Sequence, residues 1–85
     1  DGNLHINIMF DPASQEMKDR VDAVNSLIVY HAIELGGTAT GEHGVGIGKR
    51  KYITKQHGPA LDVMRQIKDL FDPNGILNPG KIFSV

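Results

Sequence analysis

The chain has 85 residues, with nine Lys and Arg, ten Asp and Glu, and a formal net charge of −1. This length limits it to one small domain, and the balanced charge excludes a generally basic nucleic-acid-binding protein. The lack of cysteine excludes disulfides and cysteine-based zinc sites, and no apolar run approaches the ~20 residues of a membrane span. The chain starts with Asp and has no signal-peptide pattern, so we expect a piece of a longer protein.

The first predicted element is a strand over residues 4–10, where apolar side chains alternate with polar ones. The apolar positions are Leu4, Ile6, Ile8 and Phe10. His5 and Asn7 share the opposite face, so they can contact the same ligand. The alternative is an edge strand with a polar outer face. Such a strand needs neighbours that this chain barely supplies.

A long amphipathic helix is predicted next, over about residues 12–35. Asp11 is expected as its N-cap and Pro12 as its first helical residue. The apolar positions of the helix are Met17, Val21, Val24, Leu27, Ile28, Ala32 and Leu35. The pair Gly36-Gly37 is expected to end it, because glycine accepts the left-handed conformation that follows many helices.

The second half of the chain contains a glycine-rich loop, a short helical turn over residues 49–52, and a second helix. Residues 36–48 hold six of the ten glycines. The second helix is predicted from the spacing of Leu61, Met64, Ile67, Lys68 and Phe71. Pro73 disfavours the helical conformation at Asp72 and should end it. Two turns follow, at residues 72–75 and 78–80. The elements together predict an α+β fold.

Residues 41–46, with the sequence GEHGVG, are the part of the chain richest in reactive groups. Neither a P-loop nor a dinucleotide fingerprint fits the residues around them. Adjacent side chains of an extended segment point to opposite sides, so Glu42 and His43 are expected to have different roles, one on a metal and one on a substrate. The alternative is an exposed polar pair in a loop.

The basic cluster of Lys49, Arg50 and Lys51, with Lys55 nearby, allows two interpretations. One is a solvated surface, and the other is a site for a substrate carboxylate or a cofactor phosphate. The remaining histidines, at positions 31 and 57, are interpreted as structural and exposed, respectively.

Three ordered motifs together resemble a known family over essentially the whole chain. Residues 1–5 (DGNLH) resemble the end of a motif of FAD-linked oxidases, residues 41–46 resemble their Glu-His-Gly-Val-Gly motif, and residues 72–81 (DPNGILNPGK) resemble their closing segment. The family is the C-terminal domain of flavoproteins that include the glycolate oxidase FAD subunit, D-lactate dehydrogenase and D-2-hydroxyglutarate dehydrogenase.

This resemblance implies a ferredoxin-like α+β cap domain over the flavin, of which residues 1–85 are a C-terminal fragment, with the FAD-binding domain absent. It implies an FAD-dependent dehydrogenase or oxidase that converts a 2-hydroxy acid of the glycolate or D-lactate type to the 2-keto acid. The fragment alone is not expected to be active. A cytoplasmic location is expected, or a mitochondrial one in a eukaryote.

The resemblance also implies roles for individual residues. It makes His43 the general base and gives Asn7 a substrate-binding role. His5 and Glu42 match ligands of a divalent ion, zinc or manganese, whose other histidine would precede residue 1. Asn78 and Lys81, in the closing motif, are expected near the cofactor.

The implied partners are a small 2-hydroxy acid and the FAD-binding domain of the parent chain, without nucleic acid or a transmembrane segment. Oligomer formation is left open. The alternative is a small non-catalytic metal-binding or interaction module. Within the enzyme class, a flavoprotein acting on another alcohol is also left open, because most of a substrate pocket would lie outside this chain.

Overall fold

A computed structural model describes residues 2–84 and contains three helices over that range: α1 (Gln15–Glu34), α2 (Arg50–His57) and α3 (Ala60–Phe71). The chain divides into two compact units, Asp1–Gly41 and Glu42–Val85. We refer to them as the N-terminal unit and the C-terminal unit. No helix within residues 2–84 is both long and apolar enough to cross a membrane.

The predicted α+β fold with a strand over residues 4–10 is wrong for this structure. Residues 2–84 contain helices, turns and irregular segments but no strand. An alternating pattern produces a strand only when neighbouring backbone supplies hydrogen-bond partners, and no second strand exists within the described range to supply them. His5 and Asn7 therefore lie in an irregular segment and not on a sheet face.

Helix α1 confirms the predicted long helix but begins three residues later than expected. Ser14, not Asp11, is the N-cap, and its hydroxyl accepts a hydrogen bond from the Met17 amide at 3.2 Å. The Asp11 carboxylate instead accepts from the Ala13 amide at 3.0 Å, so it stabilises the turn before the helix. None of the residues of α1 is fully buried.

Glycine ends α1 as predicted. Gly36 has φ +87°, and its amide donates to the Ile33 carbonyl at 3.0 Å. The Gly37 amide donates to the Ala32 carbonyl at 2.8 Å. These two bonds form a Schellman motif, which satisfies carbonyl groups that would lack partners at the helix end.

The C-terminal unit contains the two fully buried apolar side chains of the described chain. Tyr52 and Ile53, both on α2, are each 2% exposed. The short turn predicted over residues 49–52 is instead a helix of eight residues. Its two buried side chains form the small core of this unit. Helix α3 ends at Phe71, as the proline after Asp72 predicts, and Asp72 has φ −138°.

Candidate functional site

The side chains of Glu42 and His43 lie beside each other in the glycine-rich loop. His43 Nε2 is 3.5 Å from Glu42 Oε1, and the two side chains are 70% and 67% exposed. The expectation that they point to opposite sides is not met, because residues 41–43 bend and do not extend. The loop thus presents an imidazole and a carboxylate together at the surface.

Gly41, the first residue of the GEHGVG motif, lies against the side chain of Asn3 in the N-terminal unit. A Cβ atom at position 41 would be 1.9 Å from Asn3 Oδ1 and 2.5 Å from Asn3 Cγ. Only glycine allows this approach without displacement of the asparagine. The contact joins the first and second motifs of the sequence, since Asn3 belongs to the DGNLH segment.

The two residues expected as metal ligands lie in different units. His5 belongs to the N-terminal unit and Glu42 to the C-terminal unit, and both are exposed. No group of three or more His, Asp or Glu side chains in residues 2–84 is arranged to hold a metal ion. The described residues therefore do not by themselves fit a complete metal site. Asn7, expected at the substrate, is exposed in the same irregular segment as His5.

Asn78 and Lys81 form the two ends of one turn. The Lys81 amide donates to the Asn78 carbonyl at 3.3 Å. Gly80 has φ +77°, as the third position of a type II turn requires, and Asn78 has φ +47°. Both side chains are exposed, so the turn predicted at residues 78–80 presents an amide and an ammonium group to solvent.

Residues 76–84, which we call the tail, have no regular secondary structure, and basic side chains hold their carbonyl groups. Arg50 Nη1 donates to the Gly80 carbonyl at 2.9 Å. Lys68 Nζ donates to the Leu77 carbonyl at 2.7 Å, and Arg65 Nη1 donates to the Ser84 carbonyl at 3.0 Å. The Arg65 guanidinium also lies over the Phe83 ring, 5.6 Å from its centre. Sequence reasoning missed these contacts, because helix spacing does not indicate which carbonyl a basic side chain will bind.

Asp72 anchors the start of the tail. It is 6% exposed, and its carboxylate accepts from the Ile76 amide at 3.0 Å and the Leu77 amide at 2.9 Å, and from Lys68 Nζ. The Lys68 hydrogen bond lowers the pKa of Asp72, with help from the two amides, although burial acts in the opposite direction. The DPNG turn is thus built around an ionised buried carboxylate.

The basic cluster at the start of α2 borders an open cavity of about 290 Å³. Arg50 and Lys51 line the cavity together with Ile47, Gly48 and Ser84. Arg50 also holds the tail, and the ammonium of Lys51 lies 5.1 Å from the centre of the Tyr52 ring. At least two members of the cluster thus have structural contacts and are not simply solvated.

Comparison with known proteins identifies one family and several enzymes. Residues 1–82 match the family model described as "FAD linked oxidases, C-terminal domain". The chain is 51% identical over 83 residues to the mitochondrial D-lactate dehydrogenase [cytochrome] of Arabidopsis thaliana, covering 96% of the chain and 15% of that protein. It is 46% identical over 85 residues to the glycolate oxidase subunit GlcD of Bacillus subtilis, covering 99% of the chain and 18% of that protein.

A third relative has a different substrate in its name. The chain is 41% identical over 87 residues to the D-2-hydroxyglutarate dehydrogenase of Stutzerimonas stutzeri, covering 99% of the chain and 19% of that protein. The chain therefore spans less than a fifth of the length of these three relatives.

Proposed function

Because this chain belongs to the family of C-terminal domains of FAD-linked oxidases, we propose that it is part of an FAD-dependent dehydrogenase or oxidase of a 2-hydroxy acid. The observation that carries the proposal is the match over residues 1–82 together with relatives named for D-lactate, glycolate and D-2-hydroxyglutarate. All three compounds are 2-hydroxy acids, and their oxidation gives a 2-keto acid.

His43 is the general base of the proposed reaction. Its imidazole is exposed and able to contact a bound substrate, and imidazole is the side chain most often used to move protons near neutral pH. His43 takes the proton of the substrate hydroxyl while the α-hydrogen leaves as hydride. Bound FAD supplies the acceptor of that hydride. The Glu42 carboxylate lies 3.5 Å from the His43 imidazole.

The other proposed contacts involve polar groups outside the Glu42–His43 pair. Asn7 contributes an amide to substrate binding, and the turn that ends at Asn78 and Lys81 faces the cofactor. The FAD-binding domain of the parent chain is the proposed partner that supplies most of the flavin site. A cytoplasmic or mitochondrial location remains a prediction, with support from relatives that are named mitochondrial.

A divalent metal is a separate part of the proposal. The family resemblance makes His5 and Glu42 ligands of zinc or manganese, and a stable site needs at least one ligand more. Since residues 2–84 do not bring three such ligands together, we propose no catalytic step through a metal. This chain should bind zinc or manganese weakly and the full-length protein far more tightly, which calorimetry on both would measure. Equal affinities would contradict the assignment of an upstream ligand.

The proposed base is tested in the full-length protein by His43→Ala. Loss of a general base should lower the rate of flavin reduction by about 10²–10⁴-fold, while the bound flavin content stays unchanged. His31→Ala is a matched control, because His31 is also an exposed histidine beside a glutamate, with Nδ1 4.0 Å from Glu34 Oε2. Wild-type flavin reduction in His43→Ala would refute the role of His43.

Glu42→Gln distinguishes two possible roles of the Glu42 carboxylate, as a partner of His43 or as a metal ligand. If Glu42 acts only as the partner of His43, the variant should slow flavin reduction without changing metal content. If Glu42 is a metal ligand, the variant should lose metal and raise KM. Stopped-flow reduction and metal analysis on the same samples distinguish these results.

A further inference from the structure

Two hydrogen bonds connect Arg50, the tail and the loop that contains His43. Arg50 Nη1 donates to the Gly80 carbonyl at 2.9 Å. Two residues further on, the Ile82 amide donates to the Gly46 carbonyl at 2.8 Å. Gly46 lies three residues after His43 in the glycine-rich loop. The guanidinium of α2 is therefore linked through the tail to the loop that carries the proposed base.

The backbone at Ile82 is strained, which indicates that its surroundings hold it. Ile82 has φ +65°, a conformation that a β-branched residue rarely adopts. The Phe83 amide donates to the Lys81 carbonyl at 2.6 Å, so Ile82 is the centre of a three-residue turn. Such a conformation persists only where neighbouring contacts over-determine it. Here Arg50 holds the tail at Gly80, and the Gly46 carbonyl accepts from the Ile82 amide itself.

We propose that Arg50 is a positioning residue for the Glu42–His43 pair. By binding the Gly80 carbonyl, Arg50 keeps the Ile82 amide directed at Gly46, and this bond limits the movement of the glycine-rich loop. Glycines at positions 44, 46 and 48 leave that loop few side-chain contacts of its own, so an external hydrogen bond has a large effect on its order. The inference rests on the proposed function of His43, because a positioned loop matters to the reaction only if His43 takes part in it.

Arg65 provides an internal comparison for Arg50. Both arginines donate one Nη1 hydrogen bond to a tail carbonyl, at 2.9 and 3.0 Å. Arg50 is half-buried, and its acceptor precedes the bond between Ile82 and Gly46. Arg65 is exposed, and its acceptor lies beyond that bond. Loss of Arg50 should therefore free the loop, whereas loss of Arg65 should free only the end of the tail.

The test compares Arg50→Met, Arg50→Lys and Arg65→Met in the full-length flavoprotein. Arg50→Met should reduce the rate constant for flavin reduction about 10-fold at saturating substrate, since small displacements of a reacting group cost one to two orders of magnitude. The flavin content should not change. Arg50→Lys keeps a donor of similar length and should recover the rate to within about threefold of wild type. In Arg65→Met, substrate should reduce the flavin at the wild-type rate.

Hydrogen exchange measured by mass spectrometry provides a readout that does not depend on activity. The Ile82 amide should exchange faster in Arg50→Met than in wild type or Arg65→Met. Unchanged exchange at Ile82 would show that Arg50 does not hold the tail. Faster exchange with an unchanged reduction rate, or an equal loss of rate in Arg65→Met, would overturn the positioning role.

Two further outcomes are also decisive. If Arg50→Met does not fold, Arg50→Gln takes its place with the same expectations, because its side chain is shorter but still polar. A reduction rate and an Ile82 exchange rate that both match wild type in Arg50→Gln would overturn the positioning role. If no 2-hydroxy acid reduces the wild-type flavin, the proposed function fails and the positioning role fails with it. The exchange of Ile82 would still decide whether Arg50 holds the tail.

Discussion

Truncation of Ile53 should destabilise the C-terminal unit far more than truncation of an exposed isoleucine. Ile53 is 2% exposed, whereas Ile67 on α3 is 54% exposed. Ile53→Ala removes three buried carbon groups, each with a transfer free energy of about 0.8 kcal/mol. With the cavity left behind, the expected loss is about 2–5 kcal/mol, and Ile53→Val should lose about 0.5–1.5 kcal/mol. Ile67→Ala should change the free energy of unfolding by less than about 1 kcal/mol.

Urea unfolding of the 85-residue chain, followed by circular dichroism at 222 nm, measures these differences. The Val variant gives a measurable step even if the Ala variant is unfolded without urea. The expected order of stability is wild type and Ile67→Ala together, then Ile53→Val, then Ile53→Ala. Equal losses for Ile53→Ala and Ile67→Ala would refute the conclusion that the core of this unit lies on α2.

Three further predictions concern the turns and the surface. The pKa of Asp72 is lowered in the folded state. Its ionised carboxylate should therefore stabilise the fold fully above the unfolded pKa of about 3.9, and this stabilisation should be lost as the pH falls through the folded pKa. In Asp72→Asn, the melting temperature should fall less steeply between pH 6 and pH 2 than in wild type. Gly41→Ala should displace the exposed Asn3 side chain and lower the free energy of unfolding by less than about 1 kcal/mol. In an Asn3→Ala background the same change should have no effect, and a loss of about 2 kcal/mol or more in either background would contradict this account of the contact. Ile76 and Leu77 are apolar and 74% and 56% exposed. The chain should therefore self-associate as its concentration rises in sedimentation velocity, and replacement of both residues by Ser should weaken the association. A chain that stays monomeric at every concentration would contradict this prediction.

The helices were predictable from local sequence because their ends are specified locally. The glycine pair after Leu35 and the proline after Asp72 both end helices where expected. The start of α1 was misplaced because Asp11 and Ser14 are both good N-caps, and only the hydrogen bond to the Met17 amide shows which one is used. The strand was wrong because its formation depends on partners that the alternating pattern of residues 4–10 cannot specify.

The candidate site was only partly predictable. Family motifs proposed Glu42 and His43 as site residues, but did not indicate that their side chains lie 3.5 Å apart, because the bend at residues 41–43 has no signal in the sequence pattern. Tyr52 was not predicted as core, since basic residues surround it in the sequence and suggest a surface segment. The role of Arg50 was also missed, because its acceptor at Gly80 is 30 residues away in the chain.

Anaerobic stopped-flow reduction of the flavin in the full-length protein tests the central claim most directly. D-Lactate, glycolate and D-2-hydroxyglutarate are mixed in turn with the oxidised protein, and the loss of flavin absorbance near 450 nm is followed. Our account predicts that at least one of these acids bleaches the flavin and yields the matching 2-keto acid, and that His43→Ala slows that bleaching by about 10²–10⁴-fold. A flavin that none of the three acids reduces, in a protein that a chemical reductant bleaches fully, would contradict it.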